Sequence, residues 1–576
     1  MLWKRLIICF HRSCIFSFRR KTRKKDGKVQ KILKRGKMTI SGRIVDIHQR
    51  RIFPGDVKIE GSRIKSIAER KDAGDLYIIP GLIDAHIHIE SSMLTPASFA
   101  VAAVSRGTTG SVSDPHEIAN IMGREGVDFM IEDGRKTPFK FYFGAPSCVP
   151  ATDFETAGAR LGPAEIRELL EMEEIKYLAE MMNYPGVIYD DKEVLEKIAL
   201  AKSLKKPVDG HAPGLSGDAL RKYIGAGIET DHECSTLEEA QEKISLGMKV
   251  IIREGSAGRN LHALKDLYRT HPSVIMLGSD DIHPEMLMKR HLDKLISGLI
   301  REGYSPFDVI ASATLNPVMH YGLESGLLRP GDFADLAVVD DLREMNVLET
   351  WINGQKVFDR GKVQFSARPG PAVNRFSCSE ICTEEILVKN CGAPFRLISA
   401  FDGELITKEV IHEAVQGKMV ESNTTADVLK IVVKDRYHDS APAVAFIRGF
   451  GLKSGAFAAS VAHDSHNIIA IGVSDQDIAD AVNEIVRLKG GMAVVNNGKT
   501  HSMQLSVAGI MSDRPCEEVA AEYQFLSGLV RDLGCKMTSP FMTLSFMALL
   551  VIPELKLSDR GLFNTSNFSF VPLFAE

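Results

Sequence analysis

Two histidines one residue apart end an apolar run in PGLIDAHIHIES, residues 80–91. Side chains two apart on a strand point to the same side. His86 and His88, following Asp84 on the same run, can therefore face one metal ion. A lone histidine is more often a satisfied polar residue than a ligand, so the pair gains its weight from what recurs with it.

Partners recur at the ends of later apolar runs. Glu180 follows YLA, His211 ends KPVDGH, His232 ends GIETDH, and Asp280 follows VIMLGS with Asp281 beside it. Imidazole and carboxylate donors suit a divalent ion such as Zn2+, Mn2+ or Fe2+. The six candidates His86, His88, Glu180, His211, His232 and Asp280 exceed what one ion needs. That surplus favours a binuclear centre with a bridging hydroxide.

Other residues carry two readings. His116 in SDPHE and Glu90 are further metal contacts or proton donors, or else ordinary loop residues. Glu233 meets a substrate or only supports its neighbour His232. Arg253, Glu254 and Ser256 in IIREGSA, and Asp281, border a substrate pocket or only form loops. His463, Asp464 and His466 in VAHDSHNI form a second cluster that could bind metal, cap a cavity or order a loop.

These residues need elements to position them. Residues 80–325 alternate short apolar runs with helical patterns, and each run ends in a residue capable of chemistry. A (β/α)8, TIM-like barrel predicts this, because its active site is built at the C-terminal ends of its strands. A doubly wound sheet also alternates, but does not place reactive residues after nearly every strand. Residues 38–79 and 326–368 read as short strands with tight turns, as in TISGRIVDI and GDFADLAVVD. Together they are expected to form one small β-sandwich. An additional α/β or α+β domain is expected over 380–570, with strand-like LKIVVKD and helical DIADAVNEIVRLKG.

With 576 residues, the chain is too long for one compact core. It contains no apolar run near the roughly 18 residues that cross a bilayer. Its net charge of −4 divides into +13 over residues 1–37 and −17 over the rest. So acidic a body is a poor nucleic-acid binder. The basic leader, 1–37, lacks the apolar core and cleavage site of a signal peptide. It reads as a disordered targeting arm or as an extension ahead of a start at Met38. Nine scattered cysteines fit free thiols in a reduced cytoplasm.

PGLIDAHIHIE, the strand-end histidines His211 and His232, and the late Ser279-Asp280 resemble the amidohydrolase superfamily, as do the flanking GRIVD and GDFADLAVVD. Many of its two-metal members, such as dihydroorotases and hydantoinases, bridge their ions with a carboxylated lysine, where this sequence has Glu180. That difference, with HIHIESSM, SDPHEIANIMG, GHAPGLSG, GIETDHE, REGSAGRNL, LGSDDIHPE and ATLNPVMHYGL, is similar to bacterial and archaeal adenine deaminases. So are VAHDSHNIIAIG, MSDRPCEEV and PFMTLSFMALLVIPELKLSDRGL near the C-terminus. The resemblance runs from about residue 39 to 564.

The resemblance implies hydrolysis of adenine to hypoxanthine and ammonia, in cytoplasmic purine salvage, by a homo-oligomer. His86 and His88 would hold one ion, His211 and His232 the other, and Glu180 would bridge. Asp280 would bind metal and take the proton from the attacking hydroxide. Two alternatives stand beside this reading, one enzymatic and one structural. A dihydroorotase-like cyclic-amide hydrolase is opposed by Glu180 and by the extra domain. A metal-free scaffold is opposed by the complete ligand set. Nucleic-acid binding through the leader is a third alternative.

Overall fold

The computed structural model describes residues 37–575 apart from 257, 368, 369 and 371. The basic leader expected over 1–37 lies outside them, except for Lys37, which opens the first strand.

An antiparallel meander starts the fold: β1 (Lys37–Asp46), β2 (Arg51–Glu60) and β3 (Arg63–Glu69). A short β4 (Tyr77–Pro80) lies parallel to β1 and leads into the barrel.

Eight parallel strands then follow, with helices between them. They are β5 (Leu82–Ile87), β6 (Thr108–Ser113), β7 (Lys140–Ala145), β8 (Ile175–Met181), β9 (Val208–Gly210), β10 (Thr230–Asp231), β11 (Lys249–Arg253) and β12 (Ile275–Gly278). β5 to β9 form one ladder and β10 to β12 another. Glu229 N–H donates to Val208 O (2.9 Å), which joins β9 to β10. Asp280 N–H donates to His86 O (2.9 Å), which joins β12 back to β5. The ring is thereby closed. Strands such as IMLG are buried throughout, as expected when both faces of a parallel strand are covered.

After the barrel come β13 (Leu336–Val339), β14 (Val347–Ile352), β15 (Gln355–Asp359) and β16 (Lys362–Val363). β13 pairs antiparallel with β4, Leu336 opposite Pro80. Both flanks of the barrel thus share one eight-stranded sheet, ordered β16-β15-β14-β13-β4-β1-β2-β3. The sheet folds over a core that includes Ile44, Val57, Ile64, Leu336 and Trp351. Ile64 N–H donates to Asp332 O (2.9 Å), bringing β3 across to the approach of β13. The two layers of the sandwich are therefore parts of one continuous sheet.

The C-terminal part holds a second eight-stranded sheet. Its strands are β17 (Phe395–Ser399), β18 (Lys408–His412), β19 (Leu429–Lys434), β20 (Ala443–Arg448), β21 (Ala456–Ala459), β22 (Ile468–Gly472), β23 (Gly491–Asn496) and β24 (Lys499–Gln504). Their order is β18-β17-β20-β19-β22-β21-β23-β24. A helix over Asp475–Leu488 packs on it through Ile478, Val482 and Ile485. Ser474 Oγ caps that helix by accepting from Asp477 N–H at 3.1 Å. The largest apolar core runs from barrel residues such as Met93 and Ile118 to Met511 and Phe541 of the C-terminal part. No helix among the described residues is long and apolar enough to cross a membrane.

Candidate functional site

The strand ends of the barrel converge on one buried cluster. His86, His88, Glu180, His211, His232 and Asp280 are each at most 5 % exposed. β12 approaches β5 very closely here: a Cβ at Gly278 would stand 2.9 Å from His86 O. Asp280 just beyond adopts φ 56°, in the left-handed region that a non-glycine residue seldom holds. That conformation lets its N–H bond His86 O while its Oδ1 stands 3.4 Å from His86 Nε2 and 3.2 Å from His88 Nε2.

Glu180 sits at the centre with its oxygens divided. Oε1 lies 3.1 Å from His88 Nε2 and 3.5 Å from His116 Nδ1. Oε2 lies 2.8 Å from His211 Nδ1 and 3.1 Å from His232 Nε2. Burial opposes its ionisation, but His232, His211 and His88 hold its carboxyl well below the usual range. Asp280 is likewise held low against burial, by Arg253, His86 and His88. Burial also opposes the charged form of His211, and the Glu233 and Glu180 carboxylates raise it to about 9. The cluster is therefore a site of ionised carboxylates that attracts positive charge.

These residues fit metal ions. Donor atoms about 2.1 Å from a tetrahedral ion stand about 3.4 Å apart, close to the separations around Glu180 and Asp280. His86 Nε2, which faces Asp280 Oδ1, is buried with no hydrogen-bond partner. Orphaned imidazole nitrogens are costly unless something binds them. His88 Nδ1 donates to Asp114 O (3.2 Å), which leaves Nε2 free to face the centre.

A supporting layer holds the cluster in place. Asp231 accepts from Ala212 N–H (2.8 Å) and from buried Lys243 (3.0 Å), tying the loops of His211 and His232 together. Asn260 Nδ2 donates to His232 O (3.0 Å). Ser147 Oγ donates to Glu180 O (2.5 Å). Asp84 is engaged by partners outside the cluster. It accepts from Ser279 N–H (3.0 Å) and bonds His291 Nε2 (2.8 Å), locking β5 to β12.

The remaining sequence-derived residues fall into two groups. His116, Glu233, Arg253 and Asp281 line the same cavity as His88, Glu180, His211, His232 and Asp280. His116 Nδ1 is 3.0 Å from Asp114 Oδ2. Arg253 Nη2 donates to Glu233 Oε2 (2.8 Å), and Nη1 donates to Asp280 Oδ2 (2.5 Å). Glu90 lies just outside the cavity lining. Its Oε1 accepts from Ile118 N–H (3.2 Å), and burial with the nearby Glu117 charge raises it to about 7. Glu254 points away, 3.7 Å from Arg290. Ser256 Oγ accepts from His283 N–H (2.9 Å) and so orders the loop.

Sequence reasoning passed over Asp114, Glu117, Leu405 and Phe546. The first two lie in the SDPHE motif, where only the histidine was singled out. Glu117 receives His463 and His466 from the loop between β21 and β22. That contact joins positions 346 residues apart, and no spacing rule reveals it. Leu405, Phe546, Leu549 and Ile552 make the apolar roof of the cavity.

Comparison with known proteins matches residues 77–357 to the amidohydrolase family and residues 404–569 to the adenine deaminase C-terminal domain. The chain is 49 % identical over 541 residues to an adenine deaminase of Salinibacter ruber, covering 93 % of this chain and 99 % of that protein. It is 52 % identical over 535 residues to one from a Sulfurovum species, with coverages of 93 % and 99 %. One from Methanosarcina mazei is 48 % identical over 549 residues, with the same coverages. A barrel with a carboxylate between its strand-end histidines, roofed by this C-terminal domain and alike to those relatives almost end to end, leaves one assignment: the chain belongs to the adenine deaminase family of amidohydrolases.

Proposed function

We propose that the chain hydrolyses adenine to hypoxanthine and ammonia, with His86, His88, Glu180, His211, His232 and Asp280 holding two divalent ions. The observation that carries the metal half is the divided carboxylate of Glu180, one oxygen toward His88 and the other toward His211 and His232. The relatives, each named adenine deaminase, support the substrate half. A divalent ion pair supplies Lewis acidity and a hydroxide nucleophile at neutral pH.

The chain's own residues do the rest. Adenine C6 is an amidine-like carbon bearing a removable amino group. One C–O bond forms there and one C–N bond breaks. Asp280, ionised beside Arg253, takes the proton of the attacking oxygen and returns it to the departing nitrogen. Glu233, fixed in orientation by the Arg253 guanidinium, hydrogen-bonds the ring edge. His116, anchored on Asp114, is the second proton-transfer candidate. The roof excludes water from the ring face. In this reading Arg253 and Asp281 border the substrate, whereas Glu90, Glu254 and Ser256 shape the surrounding loops.

Manganese, iron(II) and zinc all suit these donors. The proposed setting is purine salvage in the cytoplasm, by a homo-oligomer. In domain terms, we propose a barrel over 80–325, a sandwich from 38–79 and 326–368, and a C-terminal domain over 380–570. The test is loss of adenine absorbance beside an ammonia assay, with adenosine and dihydroorotate in parallel. Preference for either alternative substrate by metal-loaded protein would overturn the adenine reading and leave the hydrolase reading standing.

A further inference from the structure

The loop between β21 and β22 carries polar side chains from the C-terminal sheet onto the barrel mouth. There Glu117, buried in the first turn of the helix His116–Met122, receives two imidazoles. His463 Nδ1 lies 2.6 Å from Glu117 Oε1, and His466 Nε2 meets Oε2. Ala462 N–H donates to His466 Nδ1 (3.2 Å). That nitrogen is thus the bare one, and Nε2 carries the hydrogen given to Glu117. Glu117, His463 and His466 thus form a hydrogen-bonded clamp.

What the clamp fixes is His463. Its ring lies flat on Phe546, with centroids 4.5 Å apart and planes 12° apart. Its Nδ1 is committed to Glu117, which leaves Nε2. That atom is buried, has no hydrogen-bond partner, and belongs to a residue lining the cavity that also contains Glu180 and Asp280. Most of the roof around it is apolar. An unpartnered polar atom in such a place is costly, and a ligand that bonds it removes the cost.

We propose that His463 is a substrate-contacting residue, its Nε2–H donating to an acceptor nitrogen of the purine ring while the apolar roof covers the ring face. This rests on the adenine reading given above. Burial opposes a charged imidazole here, but Glu117 outweighs it and raises His463 to about 9. Nε2 therefore holds a hydrogen at neutral pH. Electron density moves onto the ring nitrogens as C6 becomes tetrahedral, so this hydrogen bond strengthens in the transition state. Glu117 acts through His463 and is a positioning residue. The C-terminal domain thus reads the substrate as well as closing the barrel.

The test compares His463→Leu and His463→Gln with the native enzyme on adenine and on 1-, 3- and 7-deazaadenine. Metal content is measured throughout, and inhibition constants are used for analogues that are not turned over. With metal content unchanged, His463→Leu is expected to lower kcat/KM on adenine by about tenfold to hundredfold, the range for a hydrogen bond to a charged group. On the one analogue lacking the partnered nitrogen, native enzyme and variant should agree within about twofold. His463→Gln, which keeps an N–H donor, should recover part of the loss. Equal losses on adenine and all three analogues would overturn the proposal, as would unchanged adenine turnover in His463→Leu. A native enzyme inert on adenine would instead overturn the adenine reading itself.

Discussion

Arg253 Nη1 lies 2.5 Å from Asp280 Oδ2, both side chains buried, while the same guanidinium grips Glu233 with Nη2 at 2.8 Å. One planar cation thus orients two carboxylates. Lysine keeps the charge but loses the fork. Arg253→Lys is expected to lower kcat/KM on adenine by about tenfold or more, with metal content unchanged. Steady-state kinetics with elemental analysis checks this, and native activity in the variant would remove Arg253 from the site's working parts.

Glu180→Gln should cost metal and turnover together, because an amide bridges two cations poorly. A loss of about a hundredfold or more in kcat, with fewer ions per chain, is the expected result. Bicarbonate should not activate the native enzyme, since no lysine there needs carboxylation. A fully active Glu180→Gln enzyme would mean that the bridge lies elsewhere.

Chelation should abolish activity, and about two equivalents of a divalent ion per chain should restore it. The readout is a titration of recovered ammonia release against added metal. Active enzyme without metal would end the binuclear reading.

The cluster was legible in the sequence because its members share one rule. Each lies at or just beyond the C-terminal end of a barrel strand, so position at the end of an apolar run becomes position at the barrel mouth. The rule stops one residue further on. Arg253 turns in toward Asp280, while Glu254 beside it turns out toward Arg290. Asp84 shares the inward parity of His86 yet is consumed by Ser279 and His291, partners 195 and 207 positions away. The roof was not legible for the same physical reason. Phe546 and Leu405 are ordinary apolar residues, and only packing makes them walls of a cavity. The flanking strands showed their alternation, but not that they hydrogen-bond into a single sheet.

Glu155 offers a pH test away from the ligands. It is buried, accepts from the Thr152 hydroxyl (3.2 Å), and is raised to about 8 by burial and by the Asp464 charge. Its unfolded value is about 4.3. A carboxyl raised on folding contributes stability that is whole below the unfolded value and is lost as pH climbs through the folded one. Native protein should therefore lose stability between about pH 4.3 and pH 8, by up to about 1.4 kcal/mol per pH unit from this group. Glu155→Gln should lack that component. Unfolding midpoints measured across the window decide it, and parallel curves for the two proteins would refute it.

The pairing of β4 with β13 has a consequence for biosynthesis. Tyr77–Pro80 acquires its antiparallel neighbour only when Leu336–Val339 has been translated, after the whole barrel. On the ribosome, the first meander therefore waits with one sheet edge bare, and such edges invite pairing with other chains. Stalled or truncated nascent chains that stop inside the barrel should be the aggregating species, because the strand that seals this edge is among the last parts of the catalytic half to emerge.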